Sequence, residues 1–327
     1  MNRIHLSMNG KNGLKKRMDE MKVEKIRIGT RGSALALRQA ETVRDILSPK
    51  FPQTEFQIIQ IKTIGDHDQK TPLTQMGGTG VFVKEIERAL KENTIDIAVH
   101  SAKDLPAVLP AGFTIAGVLE RGYVEDAFIS REGKLFAELP PGSVIATGSV
   151  RRRAYIKYFR PDLQICAVRG NVDTRLRKLR NGEFDAVILA RAGLERLGLA
   201  TKITEILPKD KFIPAPGQGI IAIEALSSRK DVCTMAGSID HAPGHAALEA
   251  ERSLLRSLNA GCSSAVGGLA EWDENVFRLT AVVLDKEGKK MIRSQTDGDS
   301  TKDAVQLGEE AARELLNKGA RELMSER

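Results

Sequence analysis

A chain of 327 residues, 41% hydrophobic and 4% aromatic, is too long for one ordinary core and predicts two or three domains. No apolar run approaches the roughly 18 residues of a membrane span, and Cys166, Cys233 and Cys262 lack the C-x-x-C spacing of a zinc site or a disulfide framework. The formal charge is +7, but seven basic residues against three acidic ones put +4 of it in residues 1–25, and aromatics are too sparse for single-strand stacking platforms, so nucleic-acid binding is not the first reading.

Residues 1–24 have no apolar stretch for a secretory signal and carry acids against a transit-peptide composition. They read as a flexible extension, or as an upstream start before a body that begins near Met21. Lys25–Thr30 is expected as a strand, and Ser33 is well placed to cap a helix over 34–47 that stops before Pro49. A second strand over 56–61 leads to a polar loop over 62–79. Its Gly77-Gly78-Thr79-Gly80 run lacks both the Lys-Ser/Thr of a P-loop and the third glycine of a dinucleotide fingerprint. A helix over 81–91 places Phe82, Ile86 and Leu90 on one face.

The next stretch, D-I-A-V-H-S-A-K-D-L-P from Asp96 to Pro106, organises the chain. Ile95–Val99 has the composition of a buried parallel strand, and His100, Ser101, Lys103 and Asp104 follow before Pro106 ends the ladder. Polar groups at the carboxyl end of such a strand lie where open α/β sheets bind ligands. In extended backbone Lys103 and Asp104 face opposite ways, one able to hold an anion and the other to act on a cation or proton. A surface Lys-Asp pair is the plainer alternative.

After Pro110-Ala111-Gly112 a second α/β cycle is expected. Its strands lie over 127–129, 143–146, 163–168 and 186–189, with helices over 150–159 and 172–180 and another bearing Leu194 and Leu197. Pro208, Pro214 and Pro216-Gly217-Gln218-Gly219 mark a hinge. A strand over 220–223 then returns to the first sheet, so two crossings join two units, as in hinged ligand-binding proteins. A small α+β domain follows. It has a helix over 246–258, Cys262 in a Ser/Gly loop to Gly268, strands over 277–284 and 291–296, and a helix over 302–318. His241 and His245 are four apart, but Pro243-Gly244 argues against a metal pair.

Basic residues are densest between Arg151 and Arg180. Arg151 and Arg152 fall in the first turn of a helix capped by Ser149, where the macrodipole disfavours cations unless an anion is near. Arg169 ends a strand, Arg175 opens the next helix, and Arg31 with Ser33 repeats the arrangement in the first unit. Forks from two lobes would suit a ligand rich in carboxylates or phosphates. Arg153, Lys157, Arg177 and Lys178 also read as solvated helix faces, and Cys262 as an ordinary loop thiol.

The chain resembles the porphobilinogen deaminase family. The matching runs are R-I-G-T-R-G-S-A-L-A-L, V-F-V-K-E-I-E, D-I-A-V-H-S-A-K-D-L-P, S-V-R-R-R, V-R-G-N-V-D-T-R-L-R-K-L, A-G-L-E-R-L-G-L, P-G-Q-G and G-C, in the family's order. The resemblance implies two periplasmic-binding-protein-like (type II) α/β domains around a cleft, over 25–119 with 220–239 and over 120–219, plus a C-terminal α+β domain over 240–327. It implies a cytoplasmic monomer with no nucleic-acid or membrane partner, which condenses four porphobilinogens into hydroxymethylbilane with loss of ammonia. A dipyrromethane cofactor would be held covalently by Cys262 through a thioether, with no metal. Carried over position by position, Asp104 is the catalytic carboxylate. Ser101, Lys103, Asp104, Thr147, Ser149, Arg151, Arg152, Arg169 and Gly170 hold the cofactor. Arg31, Ser33, Phe82, Arg169, Arg175, Arg196 and Gln218 bind or border the substrate.

The chemistry asks for those residue types. Loss of ammonia from an aminomethylpyrrole leaves a delocalised cation that a carboxylate can stabilise, and each ring adds two carboxylates that need cationic forks. A thiolate suits a covalent tether. Gln75, Thr79, Gly148, Gly244, Ala260 and Ala265 depart from common family residues. A non-catalytic hinged protein for polycarboxylates is the main alternative, and a nucleic-acid binder a second.

Overall fold

The computed structural model describes residues 23–62, 83–261, 264–298 and 304–325. In chain order the first elements are β1 (Lys25–Arg31), α1 (Ala34–Leu47), β2 (Glu55–Ile61), α2 (Lys84–Lys91), β3 (Ile97–Ser101) and β4 (Phe113–Val118). Next come β5 (Asp126–Ser130), β6 (Val144–Ala146), α3 (Val150–Phe159), β7 (Gln164–Cys166), α4 (Val172–Arg180), β8 (Ala186–Ala190), α5 (Arg191–Arg196) and β9 (Glu205–Ile206). The chain ends with β10 (Ile221–Leu226), α6 (Lys230–Gly237), α7 (Ala242–Ser257), β11 (Val266–Asp273), β12 (Val276–Leu284), β13 (Met291–Gly298), α8 (Ala304–Asn317) and α9 (Ala320–Ser325).

Two five-stranded sheets share one pattern, β2-β1-β3-β10-β4 in the first lobe and β7-β6-β8-β5-β9 in the second. Three parallel strands stand beside a fourth that comes from elsewhere in the chain and runs antiparallel. The return of the 220s strand to the first sheet matches the expectation. The parallel pairing expected of the first unit holds for β1, β2 and β3, while β10 and β5 run antiparallel to the strands beside them. A three-stranded antiparallel sheet, β11-β12-β13, covered by α7 and α8, forms the third domain. The α/β fold class with a small C-terminal α+β domain is therefore observed.

Local chemistry explains the helix starts. The Ser33 hydroxyl accepts from the Ala36 N–H, Ser149 from the Arg152 N–H, and the Asn171 carboxamide from the Thr174 N–H. Three expectations need correction. Helix α7 begins at Ala242, because Pro243 in a first turn costs no hydrogen bond and His241 Nδ1 accepts the Gly244 N–H as a cap. The loop after Cys262 ends before β11, so Val266–Gly268 are strand. The strands β4, β9 and β11 and the helices α6 and α9 have no counterpart in the reading from sequence. Phe82, Cys262, His67, Gln75 and Thr79 lie outside the described residues.

The crossings over 119–125 and 207–220 lie backbone to backbone. The Gly122 N–H donates to the Gly219 carbonyl at 3.1 Å, and Gly219, at φ +89°, would put a Cβ 2.7 Å from the Gly122 oxygen. The core beneath the second sheet (Phe128, Phe136, Tyr155, Phe212) continues without a break into Ala265, Leu269, Val282 and Leu284 of the third domain. The first lobe meets the third domain mainly through α7, whose Leu248 packs with Ala102, Leu105 and Val118. No helix among the described residues is long and apolar enough to cross a membrane.

Candidate active site

Strand β3 runs two residues further than expected, through His100 and Ser101, and Ala102–Asp104 form one 3-10 turn. Lys103 and Asp104 are therefore presented by a turn, and strand alternation does not set their directions. Behind them the His100 imidazole is buried 3.0 Å from the Glu224 carboxylate on β10, and Gln39 of α1 donates to the Ser101 hydroxyl at 2.9 Å. Gly217, at φ +76°, lets the second crossing lie against this turn, where a Cβ would come within 2.9 Å of the Lys103 nitrogen.

Facing the turn, the second lobe presents Arg151 and Arg152 from the first turn of α3. The anion their position requires is internal: Asp126, fully buried at the start of β5. Arg151 Nη2 donates to Asp126 Oδ2 at 2.8 Å, and Arg152 donates to Oδ1 through Nε at 3.1 Å and Nη2 at 2.7 Å. Their other Nη1 atoms are held by the carbonyls of Ile213 and Ile188, and Arg151 lies 5.8 Å over the Tyr155 ring. Burial would push the Asp126 carboxyl up, but the two guanidiniums outweigh it and hold it well below the usual carboxylate range. Gln218 completes the group, donating from Nε2 to Asp126 Oδ1 at 2.9 Å and to the Val124 carbonyl at 2.7 Å.

The charges of both lobes act on one another. Burial, and next the Arg152 guanidinium, hold the Lys103 ammonium down to about 8, against the pull of Asp104 and Asp126. Burial and then Arg152 likewise lower Arg175 to about 10, with Arg169 and Arg31 adding to the effect and Asp104 opposing it. Lys103 of the first lobe thus lies within electrostatic reach of Arg152 of the second, and Arg175 within reach of Asp104, Arg152, Arg169 and Arg31. Arg175 Nε donates to the Gly170 carbonyl at 2.9 Å, and Gly170 adopts φ +105° to turn the chain there. Thr147 accepts the Ser149 N–H at 3.2 Å, which arranges the loop before α3.

Arg196 stands apart from that cluster. It donates to the Gly219 carbonyl at 2.6 Å and walls a cavity of about 510 Å³ between α1 and α5. Ser33 caps α1, and the next residue, Ala34, lines the same cavity. Of the residues read as solvated, Lys157 pairs with Glu287 of the third domain. His245 Nδ1 lies 2.8 Å from Asp240, and among the described residues no group of three or more His, Cys, Asp or Glu could hold a metal.

Sequence reasoning missed Asp126 and Gln39. An acid opening a buried strand (D-A-F-I) in a chain with first-turn arginines was the available signal for Asp126. The described residues that lead to Cys262 end close by: Gly261 and Lys103 line one cavity of about 120 Å³, with Ala102, Leu105, Arg252 and Leu255. Two cations whose charge is disfavoured where they sit, Lys103 and Arg175, fit a ligand that brings carboxylates.

Fold and site together define a two-lobed α/β protein whose lobes bring Lys103, Asp104, Arg152 and Arg175 into one charge cluster, with a third, smaller domain packed on both. The chain belongs to the porphobilinogen deaminase family. Residues 26–234 match the model described as porphobilinogen deaminase, dipyromethane cofactor binding domain, and residues 246–317 match the porphobilinogen deaminase C-terminal domain. The chain is 45% identical over 298 residues to the porphobilinogen deaminase of Desulforudis audaxviator, covering 91% of this chain and 96% of that one. It is 44% identical to the porphobilinogen deaminase of Thermus thermophilus (91% and 98% covered) and 44% identical to that of Carboxydothermus hydrogenoformans (94% and 98%).

Proposed function

We infer that this chain is a transferase that joins four porphobilinogen molecules head to tail into linear hydroxymethylbilane, with release of ammonia at each addition and with dipyrromethane as its cofactor. One observation carries the residue-level reading: a single turn bears Lys103 and Asp104 within electrostatic reach of Arg152 and Arg175 of the other lobe, and burial disfavours the charges of Lys103 and Arg175. Bound dipyrromethane supplies the free pyrrole carbon on which chain growth begins. Lys103, Arg152, Arg169 and Arg175, with Ser101, Thr147, Ser149, Arg151 and Gly170 around them, hold its carboxylates. Arg31, Ser33, Arg196, Gln218 and Phe82 hold or border the incoming porphobilinogen.

Asp104 acts at the ring nitrogens. Its carboxylate stabilises the cation left when the aminomethyl group of porphobilinogen departs as ammonia, and it accepts the proton released when the new bond forms. The guanidiniums fix each ring by its acetate and propionate, so that reacting carbons are held close and in register. Cys262 anchors the cofactor as a thioether. The cavity shared by Lys103 and Gly261 supports that assignment, because it brings the residue before Cys262 beside the turn that bears Asp104. Scattered cysteines support a reducing, cytoplasmic setting, and a charge excess concentrated in residues 1–25 speaks against a nucleic-acid partner.

The test is intact mass. The folded protein is expected to be heavier than its chain by a linked pair of pyrroles, and Cys262→Ser is expected to lose that increment. The same added mass on Cys262→Ser would remove the thioether assignment.

A further inference from the structure

We propose that Asp126 is a positioning residue for the reaction, which clamps Arg151 and Arg152 and, through Gln218, sets which polar end of that carboxamide faces Lys103. The inference rests on the reading of the cleft given above and assigns Asp126 no contact with substrate or cofactor.

The geometry is directional. Asp126 is the first residue of β5 after the first crossing, Gln218 lies in the second, and Lys103 belongs to the first lobe. An ionised carboxylate can only accept hydrogen bonds, so the Gln218 group that meets Asp126 Oδ1 must be the NH₂ end, which also reaches the Val124 carbonyl. The carbonyl end is then left toward Lys103, where Oε1 accepts from Nζ at 3.4 Å. A carboxamide turned the other way would set NH₂ against an ammonium and a carbonyl against a carboxylate. Asp126 therefore orients an acceptor on Lys103 without touching it, and its charge also supports the ammonium across the same short path.

Stability alone is a weak reason for this cluster. A buried ion triad is commonly no better than a well-packed apolar group of the same volume, so the organisation of donors is what the charge adds. Two segments, α3 and the second crossing, meet on the two carboxylate oxygens of Asp126, which itself follows the first crossing. That meeting point joins the guanidiniums of one lobe to the ammonium of the other.

The test is a double-mutant cycle on the full chain carrying its cofactor. Asp126→Asn is expected to raise KM for porphobilinogen about tenfold and to move the alkaline limb of kcat/KM to lower pH, because Lys103 loses an oriented acceptor and a nearby negative charge. Gln218→Met keeps every charge and is expected to raise KM several-fold and to move the limb in the same direction. In the double variant the two effects should not multiply, since one acts through the other. Multiplying effects with an unmoved alkaline limb would overturn the proposal and leave Asp126 a purely structural anion. If Asp126→Asn does not fold, Gln218→Met decides alone, and parental KM and pH profile in that variant would overturn it. Loss of pyrrole mass and turnover in the unmodified chain is a different outcome, and bears on the activity itself.

Discussion

Lys103 is the residue whose chemistry the fold changes most. Its ammonium ordinarily titrates near 10.5 but here at about 8. Folding therefore disfavours the charged form, and Lys103 costs stability below about 8, a cost that fades as pH rises toward 10.5. Carboxylate binding needs the ammonium, so kcat/KM should fall as pH rises through about 8. In Lys103→Arg that limb should disappear; a limb that stays in place would remove Lys103 from substrate binding. Its neighbour carries a sharper expectation. Asp104→Ala should retain the pyrrole mass while turnover drops by a factor on the order of 10² to 10⁴, the range for loss of a general acid–base group. Porphobilinogen consumption at the parental rate would contradict the role given to Asp104. Both residues were legible in D-I-A-V-H-S-A-K-D-L-P. Asp126 was not, because its meaning comes from Arg151, Arg152 and Gln218, which lie 25, 26 and 92 positions away.

Among the elements, α7 concentrates the most constraints on one turn. Glu251, fully buried, accepts from Arg121 of the first crossing at 2.6 Å, from Gly217 of the second, and from the Ala270 N–H on β11 at 2.7 Å. The next residue, Arg252, donates to the Ala107 carbonyl three residues past Asp104. Glu251→Ala takes the carboxylate from a mostly buried guanidinium and strands two N–H groups, and should cost about 3–5 kcal/mol in denaturant unfolding. A loss below about 1 kcal/mol would show that the clamp contributes little. Elements with a clean side-chain cap, such as α3 behind Ser149 and α4 behind Asn171, were readable to the residue. Strand β11 was not, since Gly267 and Gly268 look like a loop. They are there because the Ile213 carbonyl and the Pro216 ring press against them, leaving no room for a Cβ at Gly267.

At the scale of the molecule the third domain is not equally attached. Its sheet shares one apolar core with the second lobe, while its hold on the first lobe is the polar and apolar face of α7. Leu284, 1% exposed, belongs to that shared core, so Leu284→Ala should cost about 2–5 kcal/mol. Hydrogen exchange should then rise together in β12 and β5 and stay unchanged in β1 and β2. Equal acceleration in all three sheets would mean that the lobes open as one unit. The hinge itself was visible in Pro214–Gly219, but the shared core was not, because it joins Phe128 to Leu284 across 156 positions of chain. Sequence periodicity has no access to such a pairing.

The order of strands also governs how this protein emerges from a ribosome. Strand β4 is bonded in its sheet only to β10, and β10 fills the gap between β3 and β4. While residues 221–226 are still inside the exit tunnel, the amino-terminal lobe can assemble only β2, β1 and β3, and the apolar face of β4 must wait in solvent for about a hundred more residues to be translated, an interval of roughly 5 to 20 seconds. Nascent chains are therefore most exposed to misassociation and proteolysis at Phe113–Val118, the segment synthesised early and sheltered late.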